Sequence, residues 1–238
     1  MHADFERILN WRLLAGSHPF PGPDGGTCVN EAAVVAAGLA YRAIRSSADC
    51  PSCFSRPVSA YALGLNDAMA DDERGLLLPF VLRLSGSADA PAVEAARTRH
   101  LALASVGTIL APLCTAAGMA QDARACAAAP DLPTALDAAR AAEWRGGALA
   151  QAASRGRRWR EGALCAAVAR TAMAARRAAG DARCAAEVAE GASPFLPGTW
   201  ALACAILDGA LAIGRRAPEI DLVQARTRLD SARVPAPA

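Results

Sequence analysis

Alanine and arginine dominate the second half of the sequence, and this bias limits the fold more than any other feature. Hydrophobic residues make up 53% of the chain but aromatic residues only 5%, so alanine, leucine and valine must form the core. Alanine has the highest helix propensity because its side chain loses no rotamer freedom, whereas strands favour β-branched and aromatic residues. The sequence therefore predicts an all-α or nearly all-α fold: an Ala-rich multi-helix bundle with a Gly/Pro-rich irregular segment near the N-terminus.

A change in composition near Pro130 divides the chain. Residues 1–130 contain most of the glycine and proline and are predicted to form an N-terminal helical lobe with a loop segment at 16–57. Residues 131–233 are predicted to form an Ala/Arg-rich helical lobe packed on it, and residues 234–238 a disordered tail.

Apolar spacing and capping residues predict the individual elements. The helices predicted with definite bounds are Asp4–Ala15, Cys28–Ala37 with Thr27 as its N-cap, Val58–Asn66, Asp72–Leu84 and Glu219–Arg233. Ala40–Arg45 is a candidate short strand. The uncharged stretch Leu101–Gln121 favours a buried helix broken near Pro112 over a membrane span.

The charged residues exclude several chemistries. All 25 cationic side chains are arginine, so the chain has no Schiff-base lysine, phosphate-loop lysine or Ser-Lys dyad. The formal net charge of +2 gives no strong signal for nucleic acid and none for a membrane. Arg155–Arg160 interleaves four guanidinium groups with Trp159, which is a pattern that can bind phosphate or stack on a base. In a nearly neutral protein we expect it to be a solvated helix start.

The cysteines indicate a reducing compartment. The chain has eight cysteines, and no charged-then-apolar leader is present at its start, so we expect a cytoplasmic protein. In alanine- and leucine-rich helices cysteine acts as a small hydrophobic residue. We therefore expect five of the eight to lie in the core: Cys114, Cys126, Cys165, Cys184 and Cys204.

Segment 16–57 contains the side chains most suited to chemistry. His18 lies in a loop where proline alternates with glycine, and Cys50 and Cys53 form a C-x-x-C pair. Cys28 is predicted in the first turn of a helix. Unpaired backbone N–H groups and the helix dipole would lower the pKa of its thiol there.

Three functional hypotheses use these residues. In the first, His18, Cys28, Cys50 and Cys53 hold a metal ion, with zinc as the candidate, because thiolates at C-x-x-C spacing can share one tetrahedral ion. In the second, the C-x-x-C pair is a redox dithiol, which requires a preceding strand and a following helix. In the third, Cys28 is a nucleophile that attacks an acyl group with His18 as its base, and Asn30 or Glu31 orients or stabilises. A fourth possibility is that the thiols are buried and inert.

The run from His18 to Ala33, followed by Cys53–Pro57, resembles a pattern in uncharacterised bacterial proteins: FPGPDGGTCVNEAA, then CFSRP. The resemblance covers about the first third of the chain. It implies a bacterial source and attaches no known activity to any residue.

The sequence favours a non-enzymatic helical interaction or accessory protein of a bacterial cell, with its functional surface in the N-terminal third. The expected partner is another protein or a second copy of the chain, since helix faces of alanine and leucine pack closely. The alternative is a metal-binding (zinc or iron) or thiol-dependent enzyme that uses Cys28, Cys50, Cys53 and His18. An enzyme should bring these side chains together at a concave pocket.

Overall fold

The structure is a computed structural model and describes residues 9–233. It is 64% helical, and the sheet found in this part of the chain has two short strands. The prediction of a nearly all-α, multi-helix fold is therefore confirmed.

The helices follow one another with short connections. In chain order the α-helices are α1 Val29–Ala36, α2 Arg56–Ala68, α3 Leu78–Val81, α4 Pro91–Ser105, α5 Ala111–Ala116, α6 Ala120–Ala127, α7 Leu132–Arg155, α8 Trp159–Arg177, α9 Arg183–Ala192, α10 Thr199–Leu211 and α11 Leu222–Ala232. Short 3₁₀ helices cover Ser47–Asp49 and Arg74–Leu77, and a π-helical turn covers Val106–Leu110.

The chain forms two compact units. Residues 9–97 with 211–233 form the first unit, and residues 98–210 form the second. The change in composition near Pro130 does not coincide with this division, because α6 and α7, on either side of it, belong to the same unit. The predicted tail at 234–238 lies outside the described residues.

The first unit begins with a small parallel sheet. Strand β1, Arg12–Leu13, pairs with β2, Gly25–Thr27. The predicted helix Asp4–Ala15 is therefore wrong from Asn10 onward, and residues 4–8 lie outside the described part. Burial alternates as expected for a strand: the side chains of Trp11 and Leu13 are buried. The Trp11 indole N–H donates to the Thr27 hydroxyl (2.8 Å).

Gly25 fits this sheet because it has no side chain. Its φ is +95°, and a Cβ there would lie 2.8 Å from the Trp11 ring. Any larger residue would push the two strands apart.

Helix α1 is the central helix of the first unit. All eight of its residues are buried, and it packs against α2, α3 and α11. The predicted strand Ala40–Arg45 is wrong: this stretch is irregular, and the N–H of Ile44 donates to the Glu31 carboxylate rather than to a neighbouring strand.

The predicted helix Asp72–Leu84 is confirmed only in part, because helical structure covers residues 74–81 and the part before Leu78 is not α-helix. A 3₁₀ helix over Arg74–Leu77 precedes the four-residue α3. Pro79 explains the late start of α3, because proline has no N–H to donate and is accepted only in the first turn of a helix.

Pro112 does not break the apolar helix, contrary to expectation. Helical structure runs continuously from Pro91 to Ala116, with the π-helical turn just before the proline. There the N–H of Ala111 donates to the carbonyl of Val106, five residues back. The wider turn makes room for a ring that would clash with the carbonyl four residues earlier.

Pro91–Ala116 is the one helix, among residues 9–233, that has the length and apolar composition to cross a membrane. Half of its most apolar stretch is buried inside the structure. A core helix of a water-soluble protein passes the same test.

In the second unit, α7 and α8 form a close antiparallel hairpin. A Cβ added at Gly146 of α7 would lie 2.9 Å from the Cys165 carbonyl of α8, and one at Gly162 would lie 3.4 Å from Ala153. Farther from the turn that joins the two helices, Glu143 of α7 pairs with Arg176 of α8. Gly146 thus allows the helix backbones to approach closely, whereas a Cβ at Gly162 would make an ordinary contact.

Candidate functional site

Cys28 is the N-cap of α1, a position that the sequence assigned to Thr27. Its Sγ accepts a hydrogen bond from the Glu31 N–H (3.4 Å), and the Cys28 N–H donates to Oε2 of Glu31 (2.9 Å). The two residues form a capping box with cysteine in place of the usual serine or threonine. Cys28 itself therefore accepts a hydrogen bond from a backbone N–H in the first turn of α1 that would otherwise have no partner in the helix.

The Glu31 carboxylate is the centre of a buried hydrogen-bond network. Its side chain is 0% exposed. Oε1 accepts from the N–H groups of His18 (3.0 Å) and Ile44 (2.9 Å), in addition to the Cys28 bond to Oε2. The His18 Nδ1 lies 3.4 Å from Oε2. One carboxylate thus joins the loop at His18, the cap of α1 and the segment at Ile44.

Tyr41 extends this network to the loop that contains His18. Its hydroxyl donates to the His18 carbonyl (2.8 Å). Burial, followed by the negative charge of Glu31, raises the pKa of Tyr41 far above its usual value. The phenol therefore stays protonated and keeps its role as a donor at neutral pH.

The pKa of the Cys28 thiol is raised, whereas the sequence predicted that it would be lowered. Burial is the main cause, and the Glu31 charge adds to it. Hydrogen bonds from the N–H groups of Glu31 and Asn30 act in the opposite direction but are outweighed. At neutral pH the sulfur is a thiol, and a thiol is a poor nucleophile and a poor metal ligand.

His18 and Cys28 meet only through Glu31. Both contact its Oε2 atom, and no hydrogen bond joins the imidazole to the sulfur within residues 9–233. The Glu31 carboxylate contacts the imidazole only at the longer distance of 3.4 Å, whereas it accepts three shorter hydrogen bonds from backbone N–H groups.

Cys50 and Cys53 have separate surroundings. Cys50 is buried, and burial raises the pKa of its thiol despite the opposing influence of the nearby Ser59 hydroxyl. The Cys53 Sγ lies 3.9 Å from the Ser85 hydroxyl. Both cysteines are free, and no strand precedes them at residues 40–45. The context that a redox dithiol requires is missing.

The four residues of the hypothesised metal site do not form one donor set. Within the described part of the chain, no group of three or more His, Cys, Asp or Glu side chains is placed to hold a metal ion. The donor atoms of Cys28, Cys50 and Cys53 face Glu31, Ser59 and Ser85 in turn. This arrangement does not fit a tetrahedral zinc ion.

The loop that the network holds carries an exposed aromatic side chain. Phe20 is 71% exposed, although Pro21 next to it is buried. The loop is fixed before Phe20 at Gly16, whose N–H donates to the Asp67 carboxylate (2.9 Å), and after it by a bridge between Gly22 and Gly25. We call residues 16–24, which end just before strand β2, the Phe20 loop.

A cavity of about 630 Å³ lies in the same unit, away from the thiols. Its polar lining includes the carboxylates of Asp24, Asp71 and Asp72 and the guanidinium groups of Arg12 and Arg233. Arg12 and Arg74 both pair with Asp71 (3.1 and 2.6 Å), and the Arg74 pair lowers the pKa of that carboxyl group. Among the charged groups of the lining, Arg12 and Asp71 thus pair with each other, while Arg233 pairs with Asp230.

Sequence reasoning gave Glu31 only an orienting role and did not include Tyr41. The available signal was the spacing of Cys28 and Glu31, which matches a capping box. Nothing in the sequence indicated that the same carboxylate would reach His18 and Ile44.

No protein-family model matches the chain, and neither a curated protein nor a solved structure matches it.

Proposed function

We propose that this chain is a non-enzymatic interaction protein of a bacterial cell and that the Phe20 loop binds its protein partner. The observation that carries the proposal is an exposed phenylalanine on a loop whose backbone is held on both sides. Aromatic side chains contribute much of the binding energy in protein interfaces. A loop that is already ordered loses little conformational entropy when it binds.

The polar cluster supports the same interpretation. A catalytic carboxylate needs a free oxygen near the reacting group, whereas the Glu31 oxygens accept the N–H groups of His18, Cys28 and Ile44. A cysteine nucleophile needs a lowered pKa, and that of Cys28 is raised. The cluster is thus arranged to hold backbone in place.

Photo-crosslinking in the source cell tests the proposal. A benzoyl derivative of phenylalanine replaces Phe20 in the full-length protein, and in a matched control it replaces Val223. Val223 is equally exposed, at 72%, and lies in the same unit on α11.

We expect light to produce an adduct of one defined mass from position 20 and not from position 223. An adduct of twice the chain mass would identify the partner as a second copy. Absence of an adduct at position 20, or the same adducts from both positions, would refute the proposal.

A further inference from the structure

The turn between α7 and α8 concentrates positive charge. Arg155 ends α7, Gly156 to Arg158 form the turn, and α8 begins at Trp159. We call residues 155–160 the arginine turn. Its four arginines are all exposed, and Trp159 is 68% exposed between two of them.

Most of these guanidinium groups have no acidic partner. Arg158 pairs with Glu161 (2.8 Å), and both side chains are exposed. Arg155, Arg157 and Arg160 form no ion pair with any residue from 9 to 233. Three cations without an acidic partner and one exposed indole therefore lie within six consecutive residues at the end of a close helical hairpin.

The backbone of Arg157 adds a second, independent observation. Its φ is +56°, in the left-handed region that favours glycine. The N–H groups of Arg157 and Arg158 donate to Ser154 and Ala153 (3.1 and 2.9 Å). This is the Schellman pattern, in which the left-handed position is usually glycine. Here glycine comes one residue earlier, and an arginine takes the unfavourable conformation. Such strain is common at functional positions.

We infer that the arginine turn binds single-stranded nucleic acid. The guanidinium groups are suited to phosphate oxygens, which they can contact with two parallel hydrogen bonds. Trp159 offers an exposed face on which an unpaired base can stack. An anionic membrane is disfavoured because it needs an apolar surface to insert. The residues flanking Trp159 are Arg158, Arg160 and Glu161.

Fluorescence anisotropy with a labelled oligothymidine and the full-length protein tests this inference. Three or four phosphate contacts predict a plot of log K against log salt with a slope of about −2 to −3 for a single strand. Trp159→Ala should weaken binding about 5- to 150-fold, because the variant loses the stacking of one base on the indole. The control Trp144→Ala should leave affinity unchanged. Trp144 is 78% exposed on α7, between Glu143 and Arg145.

Arg157→Gly separates binding from stability. It should weaken binding and reduce the salt slope by about 0.7, yet it should raise the melting temperature by relieving the left-handed conformation. A merely structural arginine would not combine these two effects.

The inference is overturned if binding is absent at low salt or if the two tryptophan variants lose affinity equally. It is also overturned if vesicles containing phosphatidylserine bind more tightly than the oligonucleotide and with the same dependence on Trp159. Circular dichroism of each variant verifies that the fold is retained.

Discussion

At the residue scale, Cys28 shows how burial decides the chemistry of a thiol. The sequence places it correctly at the start of a helix, where N–H groups favour the thiolate. It does not show that the sulfur is enclosed beside a carboxylate, because His18, Tyr41 and Ile44 reach this point through irregular segments. Desolvation and the negative charge of Glu31 raise the thiol pKa more than the N–H groups of the helix lower it.

The raised pKa of Cys28 predicts a loss of stability at alkaline pH. Above the ordinary thiol value of 9.0, the unfolded chain releases this proton while the native chain retains it. The contribution to the free energy of unfolding is thus fully present below about pH 9. It then falls by up to about 1.4 kcal/mol per pH unit until the native pKa is reached.

Cys28→Ser isolates this contribution. Serine is a good N-cap and does not titrate, so at neutral pH the variant should unfold within about 1 kcal/mol of the wild type, whereas Cys28→Ala should cost about 1 kcal/mol. Urea unfolding from about pH 8 to about pH 10 measures the difference. A wild type and a serine variant with identical pH dependence would contradict the raised pKa.

At the element scale, periodicity and capping predict helices well but not the conformations fixed by distant contacts. The predicted helix Val58–Asn66 lies within α2, and Glu219–Arg233 contains α11. The strand at Arg12 depends on pairing with Gly25, and the continuous helix through Pro112 depends on a π-helical turn. Neither the partner strand nor the wider turn leaves a pattern in the local sequence.

Two neighbouring glycines of α7 should respond in opposite ways to the same substitution. A Cβ at Gly146 would press on the Cys165 carbonyl of α8, so Gly146→Ala should destabilise the protein by about 1–3 kcal/mol. Gly147 has nothing within 4 Å, so Gly147→Ala should stabilise it by about 0.5–1 kcal/mol. Urea unfolding of both variants measures the effect, and changes of the same sign would show that α7 and α8 do not pack through Gly146.

At the scale of the whole molecule, composition does not reveal how the chain divides. The alanine- and arginine-rich half begins near Pro130. The second unit, in contrast, begins at residue 98 and ends at residue 210, and residues 211–233 belong to the first unit. Composition reflects helix propensity, which acts within a helix. Division into units depends on which helices share a core, and that is a long-range property.

The apolar helix from Pro91 to Ala116 illustrates the same limit. Its length and composition resemble those of a membrane span. In the structure Arg97 of this helix is fully buried, and its guanidinium donates to the Ile213 carbonyl (2.9 Å) and pairs with Glu94 (3.1 Å). A buried arginine with such partners is typical of a protein core.

A competition experiment on the crosslink formed at position 20 is the most direct test of the proposed function. It asks whether the N-terminal third binds a partner through the exposed Phe20 loop or works through the Cys28 thiol. Unlabelled wild type, Cys28→Ser and Phe20→Ala are each added in excess to the photo-labelled protein and its partner, and the adduct yield is measured. We expect the wild type and Cys28→Ser to suppress the adduct equally, because serine preserves the cap, and Phe20→Ala to leave it intact. Full competition by Phe20→Ala together with none by Cys28→Ser would contradict a binding function for the Phe20 loop.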